Sequence, residues 1–129
     1  VEYGGHGDDW AELVLPYADK LVSDSATGIL ASGPIFTMMD MSATLAIWLA
    51  AKKFVPQATL DMRVDYLRPA TPGLKVYCTA ECYRMGREIA FTRATAYQDG
   101  NPQPVAYGVA TFMRRRSFKG ESVASGGQA

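Results

Sequence analysis

The sequence predicts an α+β domain in which one antiparallel β-sheet wraps around a long central α-helix. Three observations lead to this prediction: an apolar segment over 34–53 with helical end signals, four alternating strand-like segments after it, and short turns between those segments. Short turns join antiparallel neighbours, and a helix that is apolar on most sides needs other structure packed around it. One sheet and one helix then form a two-layer domain.

Each element follows from polarity, alternation and turn residues. We expect a flexible segment over 1–9, a folded domain over 10–114 and a flexible Ser/Gly-rich tail over 115–129. Within the domain the expected order is a strand at Trp10–Tyr17, a polar connection at Ala18–Thr27, the helix at Pro34–Lys53, and strands at Ala58–Arg68, Leu74–Arg84, Arg87–Gln98 and Gln103–Met113.

The helix has recognisable ends. Ser32 can act as its N-cap, Pro34 lies where a missing N–H costs nothing, and two lysines close the last turn. Apolar side chains cover most of its circumference, so we expect it inside the protein. Small side chains on one face of each of two neighbouring strands would let the sheet approach the helix. They are Ala90, Ala94 and Ala96 on one strand and Ala106, Gly108 and Ala110 on the next.

Composition excludes several classes of function. The chain has 129 residues, 48% of them hydrophobic, and its formal net charge is zero. A nucleic-acid-binding protein would carry a basic surface, and the apolar helix is too interrupted by polar residues for a membrane span. Cys78 and Cys82 lie too far apart on one strand for a disulfide, which fits a reducing, cytoplasmic compartment. We expect no metal and no cofactor.

Asp40 is the most informative residue, because it lies in a helix that is otherwise apolar. Thr37, Asp40 and Thr44 form a polar stripe at helical spacing. An unpaired carboxylate is costly to bury. Two explanations remain open: either threonines, amides or an arginine satisfy a structural carboxylate, or the stripe faces a cleft where Asp40 meets a substrate.

The residues before Asp40 favour the second explanation. The segment Gly28–Pro34 leads to a helix N-terminus, where free backbone N–H groups can bind an anion. An acyl-transfer enzyme needs such donors for the oxyanion of its tetrahedral intermediate. Gly33 is the best candidate donor, since Pro34 has no N–H. Alternatively, the glycines only permit the bend into the helix.

These residues also carry a resemblance to a known family. Gly28–Trp48 and Thr59–Ala70 resemble the hotdog-fold acyl-CoA thioesterases of the phenylacetate-pathway type. Spacing matches that family at Gly28, Gly33 and the catalytic Asp40, and a Tyr-x-x-Pro-Ala corner follows at the end of the next strand. Arg84–Phe91 resembles the family's next-to-last hairpin, and the resemblance covers about residues 10–114.

The resemblance implies a function and a set of site residues. It implies hydrolysis of a small or medium acyl-CoA, aromatic acyl groups included, with Asp40 as general base or nucleophile and the Gly33 amide as oxyanion donor. Thr59 matches a serine that helps to place the attacking water, although it could be an ordinary β-branched strand residue. The resemblance also implies a homodimer or homotetramer whose active site lies between subunits.

The sequence departs from the family at three positions. This sequence has Ser25 where the family often has asparagine, Ala31 where it has histidine, and Ser32 where it has glycine. The missing histidine leaves open a non-catalytic acyl-CoA-binding or sensor domain as the alternative. His6 is the chain's sole histidine and lies in its glycine-rich beginning, which disfavours the hotdog dehydratases. A structural or partner-binding module has no positive sign in the sequence.

Several further residues are candidate substrate-binding groups. Ser25, Ser32 and Thr37 lie beside the expected catalytic residues. The phosphates of CoA could meet the guanidinium groups of Arg68, Arg84, Arg87 and Arg114–Arg116. For each arginine, a solvated charge at a strand end is the alternative.

Overall fold

The computed structural model describes residues 1–17, 22–24, 29–30, 32–53 and 56–114. Within these ranges a helix, α1 (Ser32–Ala51), is combined with eight strands. The strands are β1 (Glu2–His6), β2 (Trp10–Leu15), β3 (Val22–Asp24), β4 (Ile29–Leu30), β5 (Gln57–Tyr66), β6 (Val76–Met85), β7 (Ile89–Tyr97) and β8 (Ala106–Arg114). The predicted helix and the five predicted strands are all present, with boundaries shifted by one to three residues.

Six strands form a single antiparallel sheet in the order β1-β2-β6-β7-β8-β5. β6, β7 and β8 are consecutive and joined by short turns, so they are also neighbours in space. β5 pairs with β8 on one side only and ends the sheet. β3 and β4 pair with each other in a separate two-stranded sheet.

α1 packs across one face of the sheet, mainly on β2, β6 and β7. Met38, Met39 and Ile47 are fully buried in this contact, whereas Phe36 and Met41 remain 40% and 43% exposed. The expectation of a helix enclosed on every side is therefore wrong for the single chain. The sheet curls around only part of the circumference, because β5 makes few contacts with the helix.

The length and composition of α1 alone would allow it to cross a membrane, since Gly33–Ala51 has a mean hydropathy of 1.3. The same test is met by core helices, so it is weak evidence for a span. Here the helix contributes its apolar face to the core of the sheet.

Small residues allow the helix to approach the sheet, as the sequence predicted. Ala90, Ala94, Ala96 and Ala106 are buried beneath the helix. At Gly108 the approach is closest, because a Cβ atom there would lie 2.8 Å from the terminal methyl of Met39. Real Cβ contacts are not this short, so glycine is the residue that fits without displacing Met39.

The beginning of the chain differs from expectation. The segment 1–9 was predicted to be a flexible lead, but Glu2–His6 forms β1 and pairs with β2. Three glycines in 4–7 obscured the strand, because glycine lowers strand propensity. β1 is stabilised instead by backbone hydrogen bonds to the edge of β2, which strand propensity does not take into account. The polar connection predicted over 18–27 contains β3, and the tail over 115–129 lies outside the described residues.

A β-bulge in β5 changes which of its side chains face the helix. The register shifts between Thr59 and Asp61, so that Leu60 is the extra residue. Strict alternation along Ala58–Arg68 would place Leu60 on the same face as Met62 and Val64, and the bulge makes that expectation wrong. Thr59 instead lies on the helix side, opposite the buried Phe112.

Candidate active site on the exposed edge of the helix

Asp40 lies on the side of α1 that is nearest to β5. Its side chain is half-buried, with Thr37 exposed and Thr44 half-buried on the same stripe. The carboxylate is therefore reachable from outside the protomer. This placement favours the cleft explanation over that of an enclosed structural carboxylate.

Thr59 is the side chain that the structure brings to Asp40. Its hydroxyl Oγ1 donates to Oδ1 of Asp40 at 3.5 Å, across 19 residues of sequence. The contact is at the long limit for a hydrogen bond. A water molecule in the same place could contact both groups. The bulge makes the contact possible, because without it Thr59 would point to the opposite face of the sheet.

Gly33 is exposed in the first turn of α1, where the N–H groups have no partner within the helix. Gly33 does not have a positive φ, and a Cβ atom at this position would contact nothing within 4 Å. A bend that only glycine can make does not explain this residue.

Gly33 and Asp40 of one chain lie far apart along the helix. Seven residues of helix separate their Cα atoms by about 10 Å along the axis. A reacting carbonyl must lie about 3 Å from both the nucleophile and the oxyanion donor. This separation disfavours a site that uses both groups of one chain.

Ser25 and Ala31 lie outside the described residues, and of Ser32 only the backbone is described, as the first residue of α1.

Arg68 lies at the opposite end of β5 from Thr59, about 30 Å away along the strand. Its guanidinium donates to the carbonyl oxygens of Gln103 at 2.9 Å and Pro69 at 3.0 Å, and to Oε1 of Gln98 at 3.1 Å. These bonds hold together the loops at that end of the sheet. The structure does not bring Arg68 to Asp40.

Arg84 and Arg87, in contrast, lie at the same end of the sheet as Thr59. Adjacent strands align Thr59, Phe112, Ala90 and Met85 in one row. The row spans three strand spacings, which is about 14 Å. Arg87 is exposed, and Arg84 is exposed with its guanidinium carbon 5.4 Å from the centre of the Phe91 ring. Both charges are available to an anion that approaches this end.

Gln57 is a site candidate that sequence reasoning missed, and it lies beside Arg114, one of the arginines expected to be able to meet the CoA phosphates. The two residues are cross-strand partners between β5 and β8, and Gln57 shares the face of Thr59 two residues away. Both amide atoms of Gln57 and Nε of Arg114 are buried without a hydrogen-bond partner among the described residues. Arg114 also donates through Nη1 to the carbonyl of Gly86 at 2.7 Å, which ties β8 to the β6–β7 turn. Gln57 belongs to no motif, and no pattern in the sequence marks it.

Titration of other groups does not point to a second reactive centre. Burial raises the pKa of the Cys78 thiol to about 12 and raises that of Cys82 as well. Both are free thiols, as predicted. No group of three or more potential metal ligands occurs in the described ranges.

Comparison with known proteins gives a consistent picture. The family model of the thioesterase superfamily matches residues 27–105. Human acyl-coenzyme A thioesterase 13 is 29% identical over 84 residues, which is 65% of this chain and 59% of that protein. The chain therefore matches less than two thirds of this relative.

Solved structures extend the likeness over most of the chain. A Pseudomonas aeruginosa protein is 38% identical with a TM-score of 0.75, covering 84% of this chain and 80% of its own. A Streptococcus mutans protein solved with acetyl CoA bound is 19% identical, has a TM-score of 0.74 and covers 88% and 87% of the two chains. The second likeness concerns the fold alone. With the matched family, these structures confirm the predicted hotdog fold.

Proposed function

The chain belongs to the thioesterase superfamily, and from this premise we propose that it hydrolyses acyl-CoA thioesters to a free acid and CoA. The observation that carries the proposal is the accessible carboxylate of Asp40 with the Thr59 hydroxyl beside it. The acyl group is small or medium in size, aromatic groups included. The reducing cytoplasm, where acyl-CoA is made and used, is the proposed location.

The chemistry needs one base and one oxyanion donor. Asp40 removes a proton from water while the water oxygen attacks the thioester carbonyl, and the Gly33 N–H stabilises the resulting oxyanion. Collapse of the tetrahedral intermediate breaks the C–S bond and expels CoA as a thiolate, which then takes up a proton. Direct attack by the Asp40 carboxylate would give an acyl-enzyme anhydride that water then hydrolyses. Thiolates leave without the strong acid that an amine requires, so the site can work without histidine.

We further propose that the active site is completed by a second copy of the chain. The distance between Gly33 and Asp40 favours it, if both groups act on one substrate. Two features of the protomer support pairing: β5 is a long strand with one open edge, and the neighbouring helix face exposes Phe36. Open strand edges are normally covered or paired. Assembly as a homodimer, or as a homotetramer of such dimers, would place Asp40 opposite the partner's Gly33.

The CoA portion of the substrate is proposed to lie over the sheet end that carries Arg84 and Arg87. Phosphates favour arginine because its planar guanidinium can donate two parallel hydrogen bonds. Gln57 and Arg114 offer further polar atoms between this end and Thr59. The fold-level likeness to a protein that binds acetyl CoA agrees with this assignment.

The experiment is a thiol-release assay on a panel of acyl-CoA substrates, with binding of each substrate measured in parallel. We expect release from at least one acyl class, and the preferred chain identifies the substrate group. Binding without release from any substrate would instead support the acyl-CoA sensor, with Ala31 in place of the family histidine as the reason. A protein that showed neither binding nor release with any substrate would contradict both functions.

A further inference from the structure

A second cavity lies between the N-terminal hairpin and the C-terminal half of α1. Its volume is about 670 Å³, within the range of sites that hold small organic molecules. Its floor is apolar, formed by Ala11 of β2 and by Leu45, Trp48 and Leu49 of the helix.

This cavity is separate from the Asp40 site. Asp40 and Leu45 are five residues apart, so their side chains leave the helix axis in directions about 140° apart. Lys52, at the far end of the cavity, lies about 18 Å along the axis from Asp40. A ligand in the cavity would therefore contact the opposite flank of α1, next to β1 and β2.

The rim of the cavity is mainly cationic. Lys52 and Lys53 line it, and neither forms an ion pair among the described residues. Asp8 is the single acidic group of the lining, and His6 lies beside Tyr3, to which it is hydrogen-bonded through Nδ1. The two lysines thus outnumber the one carboxylate.

The helix ends beside this cavity. Lys52 N–H donates to the carbonyl of Leu49 and Lys53 N–H to that of Trp48, both at 3.2 Å. These bonds satisfy two of the last four carbonyl groups of the helix, and the ammonium groups of Lys52 and Lys53 offset the negative end of the helix dipole. Lys52 adopts a φ of 61°, and it is the sole non-glycine residue with positive φ in the described part of the chain. Glycine usually occupies this position, so a lysine there accepts backbone strain and places its charge at the cavity.

We propose that this cavity binds an amphipathic organic monoanion, a carboxylate with an apolar body of about six to ten carbon atoms. The apolar floor covers the body, and the ammonium groups of Lys52 and Lys53 bind the carboxylate. The proposal concerns binding alone and does not depend on thioesterase activity.

The test uses octanoate and NMR of the ¹⁵N-labelled full chain. The indole N–H of Trp48 reports on the cavity, and the backbone N–H of Gly33 reports on the proposed active site. We expect octanoate to shift the Trp48 signal with a Kd of about 1 mM or tighter, as befits a ligand of ten heavy atoms. Octanol, which lacks the charge, should bind at least about fivefold more weakly, and acetate, which lacks the apolar body, should not bind.

Two kinds of variant assign the effect to this cavity. Lys52→Gln combined with Lys53→Gln should weaken octanoate at least about fivefold and leave octanol unchanged. Lys75→Gln, an exposed lysine outside the cavity, is the matched control and should alter neither. Leu49→Phe should weaken both ligands by filling the cavity.

Three results would overturn the proposal: no shift of Trp48, equal binding of octanoate and octanol, or a shift at Gly33 without one at Trp48. Each can be obtained whether or not the protein hydrolyses acyl-CoA, so the two proposals fail separately.

Discussion

At the scale of single residues, the case for Asp40 as the proposed base rests on its incomplete burial. The helix around it is apolar, but the sheet leaves its β5 side open, and the carboxylate is half-buried beside one hydroxyl. A carboxylate in this position keeps contact with water while it is held by the helix. Removal of the Asp40 carboxylate should therefore lower the activity more than it lowers the stability of the fold.

Thr59 should act by positioning rather than by supplying a reactive group. Thr59→Val keeps the β-branched shape but removes the hydroxyl that contacts Asp40, and we expect kcat to fall about tenfold with little change in KM. Thr59→Ser keeps the hydroxyl and should retain most of the activity. Steady-state kinetics of both variants test this, and a valine variant with normal kcat would assign Thr59 to the strand alone.

Cys78 should be inert to alkylation in the folded protein. It is 0% exposed, and its pKa of about 12 leaves about a thousandfold less thiolate at pH 8 than an unperturbed thiol with a pKa of 9.0. Because the folded thiol stays neutral, labelling should increase steadily as the pH rises from 8 towards 12. Iodoacetamide labelling read by mass spectrometry, with urea-unfolded protein as the reference, checks this expectation. Rapid labelling of the native thiol at pH 8 would contradict the packing of β6 under α1.

The sequence could indicate Asp40 as a candidate site residue because a charged residue stands out in an apolar helix, and Gly33 because its N–H lies at the start of that helix. It could not predict Gln57, since an unpaired polar atom is recognised only when its neighbours are known. Arg68 illustrates the opposite case. The sequence cannot distinguish a phosphate-binding guanidinium from one that donates to loop carbonyls.

At the scale of secondary structure, periodicity predicted the elements that bury a face. β8 alternates along its length and β6 alternates as far as a β-bulge between Cys82 and Arg84, and the inward residues of both strands are buried as expected. Periodicity failed at β1, where pairing overrides low propensity, and at the β5 bulge, where one extra residue reverses the alternation. That bulge turns Thr59 towards Asp40, so the least predictable feature of the strand is the one that forms the site.

The end of α1 provides a prediction at this scale. Lys52→Gly should stabilise the fold by about 1 kcal/mol, because glycine adopts positive φ without the steric cost that lysine meets. In a chain of this size that corresponds to a rise in Tm of about 3–5 °C. Lys53→Gly, next to it but without positive φ, should give no such gain. Thermal unfolding of the two variants tests the geometry, and equal effects would contradict it.

At the scale of the whole molecule, the single chain leaves open the faces that the proposed dimer would cover. An open strand edge and an exposed helix face lie side by side at β5, and the two proposed catalytic groups of one chain lie about 10 Å apart along the helix. The proposed second copy would account for both features. The sequence indicated assembly only through its family resemblance, because no local pattern encodes a symmetric partner.

Disruption of that face should separate the subunits. Phe36→Lys places a charge on a 40% exposed side chain beside β5, and we expect monomers of low activity. Val109→Lys changes a 51% exposed side chain on the opposite face of the sheet and should leave the proposed dimer intact. Light scattering coupled to size-exclusion chromatography measures both. Monomers from Val109→Lys alone would place the interface elsewhere.

The central claim is that Asp40 performs the chemistry, and the most direct measurement compares kcat for Asp40→Asn and Asp61→Asn on the preferred acyl-CoA. Asp61 is an exposed carboxylate on β5 beyond the bulge, and serves as the matched control. We predict that Asp40→Asn lowers kcat by at least about a thousandfold, with substrate binding and Tm nearly unchanged, while Asp61→Asn retains full activity. Normal turnover by Asp40→Asn would contradict the mechanism, and a loss of folding would make Asp40 a structural carboxylate.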